Sequence, residues 1–125
     1  MYDELLAALR ATGLPLAEWA WEGQDGPPRT DYLVVALDGQ GDSLWADAHM
    51  AERALEGSID LFAYTDGRNN AAAVESALNS IDCAWYLSSI QLESDTGLLH
   101  YEWIFQMCTA MAHTAQEASD AQDEA

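Results

Sequence analysis

The most conspicuous absence in this sequence is lysine, which leaves four arginines as its basic residues. Against them stand 22 acidic residues, and the formal net charge at pH 7 is −18. A surface of this sign repels nucleic-acid phosphates and anionic lipid headgroups. The composition therefore argues against direct binding of nucleic acid or membrane. It favours partners with basic patches, or bound cations, which relieve the self-repulsion of the folded chain.

Cysteine and long apolar runs are also scarce. Two cysteines, Cys83 and Cys108, are fewer than a secreted disulfide scaffold needs, so we expect free thiols in a reducing cytoplasm, although the sequence leaves their pairing open. No stretch approaches the ~20 apolar residues of a membrane helix. The N-terminal sequence MYDELLAALR has neither the basic start nor the long apolar run of a signal peptide.

The length and the hydrophobic content are typical of a chain that folds into one domain of ordinary size. The sequence has 125 residues, and 50% of them are hydrophobic, which is typical of a globular domain and not of a disordered chain. We predict a single α+β domain over residues 1–108. Residues 109–125 are predicted to form an acidic C-terminal tail, as a weak helix or a disordered segment, because no bulky residue follows Met111.

The periodicity of apolar residues predicts a mainly antiparallel β-sheet with an N-terminal helix and one helix before a C-terminal β-hairpin. Helical spacing marks residues 2–12 and 71–81. Alternation predicts strands over residues 16–22, 54–64, 85–93 and 98–107, and a nearly continuous apolar run predicts a buried strand over residues 32–37. A turn is predicted over residues 38–42, and residues 43–55 fit either a helix or strands.

The residues that could carry chemistry form no recognised catalytic motif. His49, His100 and Glu102 have metal-binding character, but neither a cysteine pair nor HExxH spacing accompanies them. Hydrogen-bonded histidines on a polar strand face are the favoured interpretation. Cys83 has no histidine near it in sequence, and no GxSxG, GxGxxG or P-loop motif occurs. We therefore predict a protein that is not an enzyme and that has no catalytic residues, metal or cofactor.

Aromatic residues are the stronger candidates for an interaction role. The sequence contains five Trp and five Tyr, more than a domain of this size is expected to bury. Trp19 with Trp21, and Tyr101 with Trp103, are spaced to share single strand faces. The candidates for core or subunit-interface positions are Trp19, Trp21, Trp45, Tyr101 and Trp103. Aromatic side chains that do not fit into the core are predicted to lie between subunits.

Two parts of the sequence resemble small tail proteins of long-tailed bacteriophages. One is Ala46–Glu52 followed by Gly57–Phe62, and the other is Trp85–Leu87 leading to Glu93–Trp103. Together with the order of the elements, they are similar to the tail terminator, or tail completion, group over roughly residues 2–107. The hairpin carries the most specific part of this resemblance.

The resemblance implies a structural virion protein that forms a hexameric ring at the head-proximal end of the tail. Such a ring caps the tail tube protein and presents a face to the head–tail connector, after assembly in the host cytoplasm. DNA would pass through it without specific binding, since an acidic lumen repels phosphates. Two alternatives stay open: an acidic DNA mimic, or other small inhibitor of a basic protein, and a neighbouring connector component.

Overall fold

The computed structural model describes residues 2–23, 25–40, 44–46 and 49–110. Its elements form an α+β fold, which confirms the predicted class. In chain order they are α1 (Tyr2–Arg10), β1 (Leu16–Glu18), β2 (Tyr32–Gln40), β3 (Leu44–Ala46), β4 (His49–Ala63), α2 (Arg68–Asn79), β5 (Ala84–Leu92) and β6 (Leu99–Ala110).

The strands form one sheet in the order β1-β2-β4-β6-β5, with β3 paired to the start of β4. All pairs are antiparallel except β1 with β2, which run parallel. The long strand β4 pairs along its length with β2 and β6, so these three strands form the centre of the sheet. Strands β1 and β5 are its two edges.

Both helices pack against the same face of this sheet. Their apolar stripes come from residues at helical spacing, Leu5 and Leu9 in α1 and Val74 and Leu78 in α2, and all four are buried. The strands contribute side chains at every second position, as expected for one face of a sheet. The buried strand residues are Leu33, Val35, Ile59, Leu61, Tyr101, Trp103, Phe105 and Met107.

The opposite face is covered by no helix of the described residues, and we call it the open face. Its side chains alternate with those of the core and are mostly half-buried. Antiparallel sheets with one packed and one uncovered face are common.

Trp103 is the largest fully buried side chain and ties the sheet to α2. Its indole Nε1 donates a hydrogen bond to Glu75 Oε2 at 2.9 Å, and its ring stacks on Tyr101 with centroids 5.8 Å apart. The Tyr101 hydroxyl donates to the backbone carbonyl of Asp66, in the segment before α2. Tyr101 and Trp103 thus share one strand face, as the sequence predicted, and that face is the core.

The predicted strand over residues 16–22 is wrong in its second half. β1 ends at Glu18 because Trp19 adopts a left-handed backbone with φ of 72°, and the Ala20 N–H then turns back to the Glu18 carbonyl. Trp19 and Trp21 therefore do not share a strand face. Trp45 lies on β3, but its side chain is outside the described part of the chain.

Other boundaries also differ from the sequence prediction. β2 continues to Gln40 through an irregularity between Leu37 and Gly39, where a turn was predicted. The described parts of residues 43–55, which the sequence left open, pair as β3 and the start of β4. β6 reaches Ala110, two residues beyond the predicted end of the domain, and the rest of the predicted tail lies outside the described residues.

Replacing Trp103 by Ala tests its place in the core. Loss of a fully buried Trp typically costs about 3–5 kcal/mol, a large part of the ~5–15 kcal/mol that stabilises a domain. We expect Trp103→Ala to unfold or to lose most of its stability, as measured by urea denaturation. Leu92→Ala is the control, because Leu92 is 71% exposed, and its free energy of unfolding should stay close to the wild-type value. Equal stability of the two variants would contradict this description of the core.

Candidate functional site

Four rings cross one end of the open face and form an aromatic row: Trp21, Tyr32, Phe62 and His100. Tyr32 pairs with Phe62, and Phe62 with His100, directly across the strands, so their side chains are neighbours on one face. The Tyr32 and Phe62 centroids are 5.0 Å apart, and those of Phe62 and His100 are 4.4 Å apart, both stacked. Trp21 meets Tyr32 edge-on at 5.9 Å. The row links the loop after β1 to β2, β4 and β6.

His100 ends this row between two carboxylates. Its Nε2 lies 2.7 Å from Asp60 Oδ1 on β4, and its Nδ1 lies 3.0 Å from Glu93 Oε2 at the end of β5. A carboxylate only accepts hydrogen bonds, so both ring nitrogens donate when both acids are ionised. The arrangement therefore favours the doubly protonated, positively charged imidazolium. We call His100, Asp60 and Glu93 the His100 cluster.

The electrostatics of the cluster follow from burial and from these two hydrogen bonds. Burial alone disfavours a charged imidazole, but the hydrogen bonds to Asp60 and Glu93 outweigh it and raise the pKa of His100 above its ordinary value of 6.5. Burial also raises the pKa of Asp60, against the lowering effect of its hydrogen bond with His100. Glu102, directly opposite Asp60 across β4 and β6, adds a like charge that acts in the same upward direction.

This geometry suits a structural ion cluster better than catalysis or metal binding. Both nitrogens of His100 are engaged by carboxylates, which leaves neither as a free base or ligand. Nowhere in the described residues do three metal-ligating side chains form a candidate site. Of the predicted set, Glu102 lies beside the cluster, and the His49 side chain is outside the described part of the chain. When it is protonated, the His100 ring stacked on Phe62 also makes a favourable contact between a cation and an aromatic face.

Cys83 is a free thiol at the entrance to β5. Burial, and then the neighbouring Asp82 charge, raise the pKa of this thiol. A reactive cysteine needs the opposite shift, because the thiolate is the nucleophile. The position therefore gives no support to acyl-transfer chemistry. The side chain of Cys108 lies outside the described residues.

The outer edge of β5 is the second distinctive feature, and sequence reasoning missed it. Four side chains there are exposed: Tyr86 (59%), Leu87 (39%), Ile90 (50%) and Leu92 (71%). We call them the β5 edge. β5 pairs with β6 alone among the described strands, and its segment AWYLSSIQL contains no charged residue. Exposed edge strands are usually protected by charges, proline or short length, so this edge is typical of a surface that is covered in an assembly.

The opposite edge of the sheet carries one prominent aromatic side chain. Trp19 is 61% exposed and lies directly after β1. Its left-handed backbone is rare for a bulky residue. Two residues later, Trp21 is partly buried in the aromatic row, and its Nε1 has no hydrogen-bond partner among the described residues. The two tryptophans predicted to act together thus have different environments.

A shallow cleft of about 220 Å³ lies between the open face and the β5 edge. Ile104 on β6 and Ala84 and Tyr86 on β5 provide its apolar lining. Glu56 on β4 and Gln106 on β6 line it with polar groups. The cleft can therefore receive a flat apolar side chain that carries one hydrogen-bond donor.

No protein-family model matches the chain, and no curated protein matches it significantly. No helix among the described residues is long and apolar enough to cross a membrane.

The pH dependence of stability tests the His100 cluster. A raised pKa in the folded state means that the stabilisation from His100 is fully present below pH 6.5 and is lost as pH rises through the pKa of the folded protein. We expect the stability difference between wild type and His100→Gln to shrink as pH rises from about 6 to 9. Urea denaturation at each pH measures it. Both proteins keep His49 and His113, so a difference that does not change with pH would contradict a charged His100.

Proposed function

We propose that this protein is a structural subunit of a bacteriophage tail, a terminator that assembles into a ring on the end of the tail tube. The observation that carries the proposal is the β5 edge, a set of exposed apolar side chains on an uncharged strand that pairs on one side only, with β6. The resemblance of the hairpin to tail terminator proteins supports the proposal, because those proteins work as subunits of a ring. The hexameric number, the tube protein and the connector as partners belong to the same proposal.

Because the chain is strongly acidic, a strand without charged residues suits contact with a second copy. Two copies that each carry −18 repel each other over the Debye length of ~8–10 Å at physiological salt. Contact between them is favourable only where few charges are brought together and apolar area is buried. Ala84–Leu92 is such a segment in a chain with 22 acidic residues. A second copy of the chain is therefore the partner that this edge suits.

The alternative of a DNA mimic receives less support from the same surface. A mimic binds its basic partner through the acidic part of its surface, which leaves the exposed apolar side chains of the β5 edge without a role. An uncharged strand also offers no ion pair to a basic groove. In a ring, by contrast, the edge is covered, and the acidic surfaces can line the path of the DNA and repel its phosphates.

The His100 cluster contributes to this role by fixing the hairpin. Asp60 belongs to β4 and Glu93 to the end of β5, and both hold His100 on β6. The cluster thus anchors the turn end of the β5–β6 hairpin to the centre of the sheet. A rigid edge loses less conformational entropy on binding than a mobile one.

Placing a charge on the β5 edge tests the proposal. We expect wild type to form rings at moderate salt and high concentration, and Leu92→Glu to remain a folded monomer, because like charges would face the neighbouring subunit. Light scattering and negative-stain electron microscopy report the assembly, and circular dichroism reports the fold. Ala72→Glu, on the exposed surface of α2, adds the same charge away from the edge and should assemble normally.

Three outcomes would contradict the proposal. Wild type could stay monomeric at every salt concentration and fail to bind tail tubes. Leu92→Glu could assemble as well as wild type. Stoichiometric binding to a basic DNA-binding protein by a strict monomer would favour the mimic instead.

A further inference from the structure

We infer that the ring contact is heterologous, with Trp19 of one subunit seated in the cleft beside the β5 edge of the next. This inference rests on the proposed ring and names the two surfaces that meet in it. One is Trp19 at the β1 edge of the sheet. The other is the cleft lined by Glu56, Ala84, Tyr86, Ile104 and Gln106.

The two surfaces lie on opposite sides of the subunit. The sheet order places β2, β4 and β6 between β1 and β5. With strands about 4.8 Å apart, the strands that line the cleft, β4, β6 and β5, lie roughly 10 to 19 Å from β1 across the sheet. Trp19 therefore reaches a cleft of this kind only on a second copy of the chain.

The backbone holds Trp19 in an outward position. Its N–H donates to the Val35 carbonyl at 2.8 Å, which continues the pairing of β1 with β2, and its left-handed φ then ends the strand. An indole ring that is 61% exposed gains nothing from burial inside its own domain. Tryptophan is among the residues that contribute most to binding when an interface covers them.

The chemistry of the cleft matches an indole. Ile104 and Ala84 offer apolar surface to the ring, and Glu56 and Gln106 offer oxygen acceptors for its N–H. The same pairing occurs twice within the subunit, where Trp103 donates to Glu75 at 2.9 Å and Trp85 donates to Asn79 at 3.0 Å. An indole is also a neutral donor, so it satisfies a carboxylate without adding negative charge to an acidic interface.

The position of the cleft explains why this contact leads to a ring. Ala84 and Tyr86 bring the cleft to the β5 side of the sheet on its open face, whereas Leu87, Ile90 and Leu92 lie on the face that the helices cover. Every subunit then uses two different surfaces, and such a heterologous contact forms a ring when the rotation between neighbours closes. Pairing of one β5 edge with another would use the same surface twice and would stop at a dimer.

Complementation between two defective subunits tests the inference. Trp19→Ala removes the inserted side chain, and Ala84→Arg fills the cleft. We expect each variant alone to remain folded by circular dichroism and to self-associate at least ~30-fold more weakly than wild type, as for loss of a dominant interface residue. Mixed together, they should form a 1:1 dimer and nothing larger, because one intact Trp19 and one open cleft remain. Analytical ultracentrifugation distinguishes these species.

Tyr64→Ala is the matched control. Tyr64 is 46% exposed, but its hydroxyl donates to the Pro28 carbonyl within the subunit, away from the cleft. We expect this variant to assemble into subunit rings as wild type does.

The outcomes separate the inference from the proposed function. If wild type forms rings and Trp19→Ala forms them equally well, the inference is wrong while the terminator proposal stands. A mixture of Trp19→Ala and Ala84→Arg that yields no dimer also overturns it. If wild type forms no ring and binds no tail tube, the proposed function is wrong. The inference, which rests on that function, is then wrong as well.

Discussion

Every contact in this protein forms against a net charge of −18, and that constraint explains where its polar and apolar groups lie. No charged side chain of the described residues is buried in the core, since an unpaired buried carboxylate would be costly. Where acids do crowd together on the open face, the imidazolium of His100 lies between Asp60 and Glu93. Along β5, at the edge of the sheet, the chain carries no charge at all.

Local patterns in the sequence predicted most of the fold. Helical spacing identified α1 and α2, and strict alternation identified the β5–β6 hairpin and the shared face of Tyr101 and Trp103. Alternation failed at Trp19, because a strand pattern does not reveal where a single residue adopts a left-handed backbone. It also gave no indication that β5 is an edge, since neighbours in a sheet are set by long-range pairing and not by local sequence.

The candidate site was harder to predict for the same reason. Glu93 is within reach by hairpin register, because its N–H donates to the Leu98 carbonyl and thus places it near His100. Asp60, however, is 40 residues from His100 in sequence and meets it only through the pairing of β4 with β6. In the sequence, the aromatic residues that exceed what a core can hold form a single set of candidates. The structure divides it into core (Trp103), aromatic row (Trp21) and exposed edge (Trp19), with different environments.

An exposed apolar edge strand is ordinarily a risk, because it can pair with any other strand. In this chain the net charge lowers that risk. Electrostatic repulsion acts over ~8–10 Å at physiological salt, whereas the hydrophobic effect requires removal of water from surfaces in direct contact. Copies that approach in arbitrary orientations experience repulsion before any apolar surface is buried. The free energy then favours only those orientations in which the uncharged β5 segment lies at the contact and the carboxylates point away. In the proposed assembly, the acidic surface thus makes association selective, and it allows β5 to remain unprotected in the free subunit.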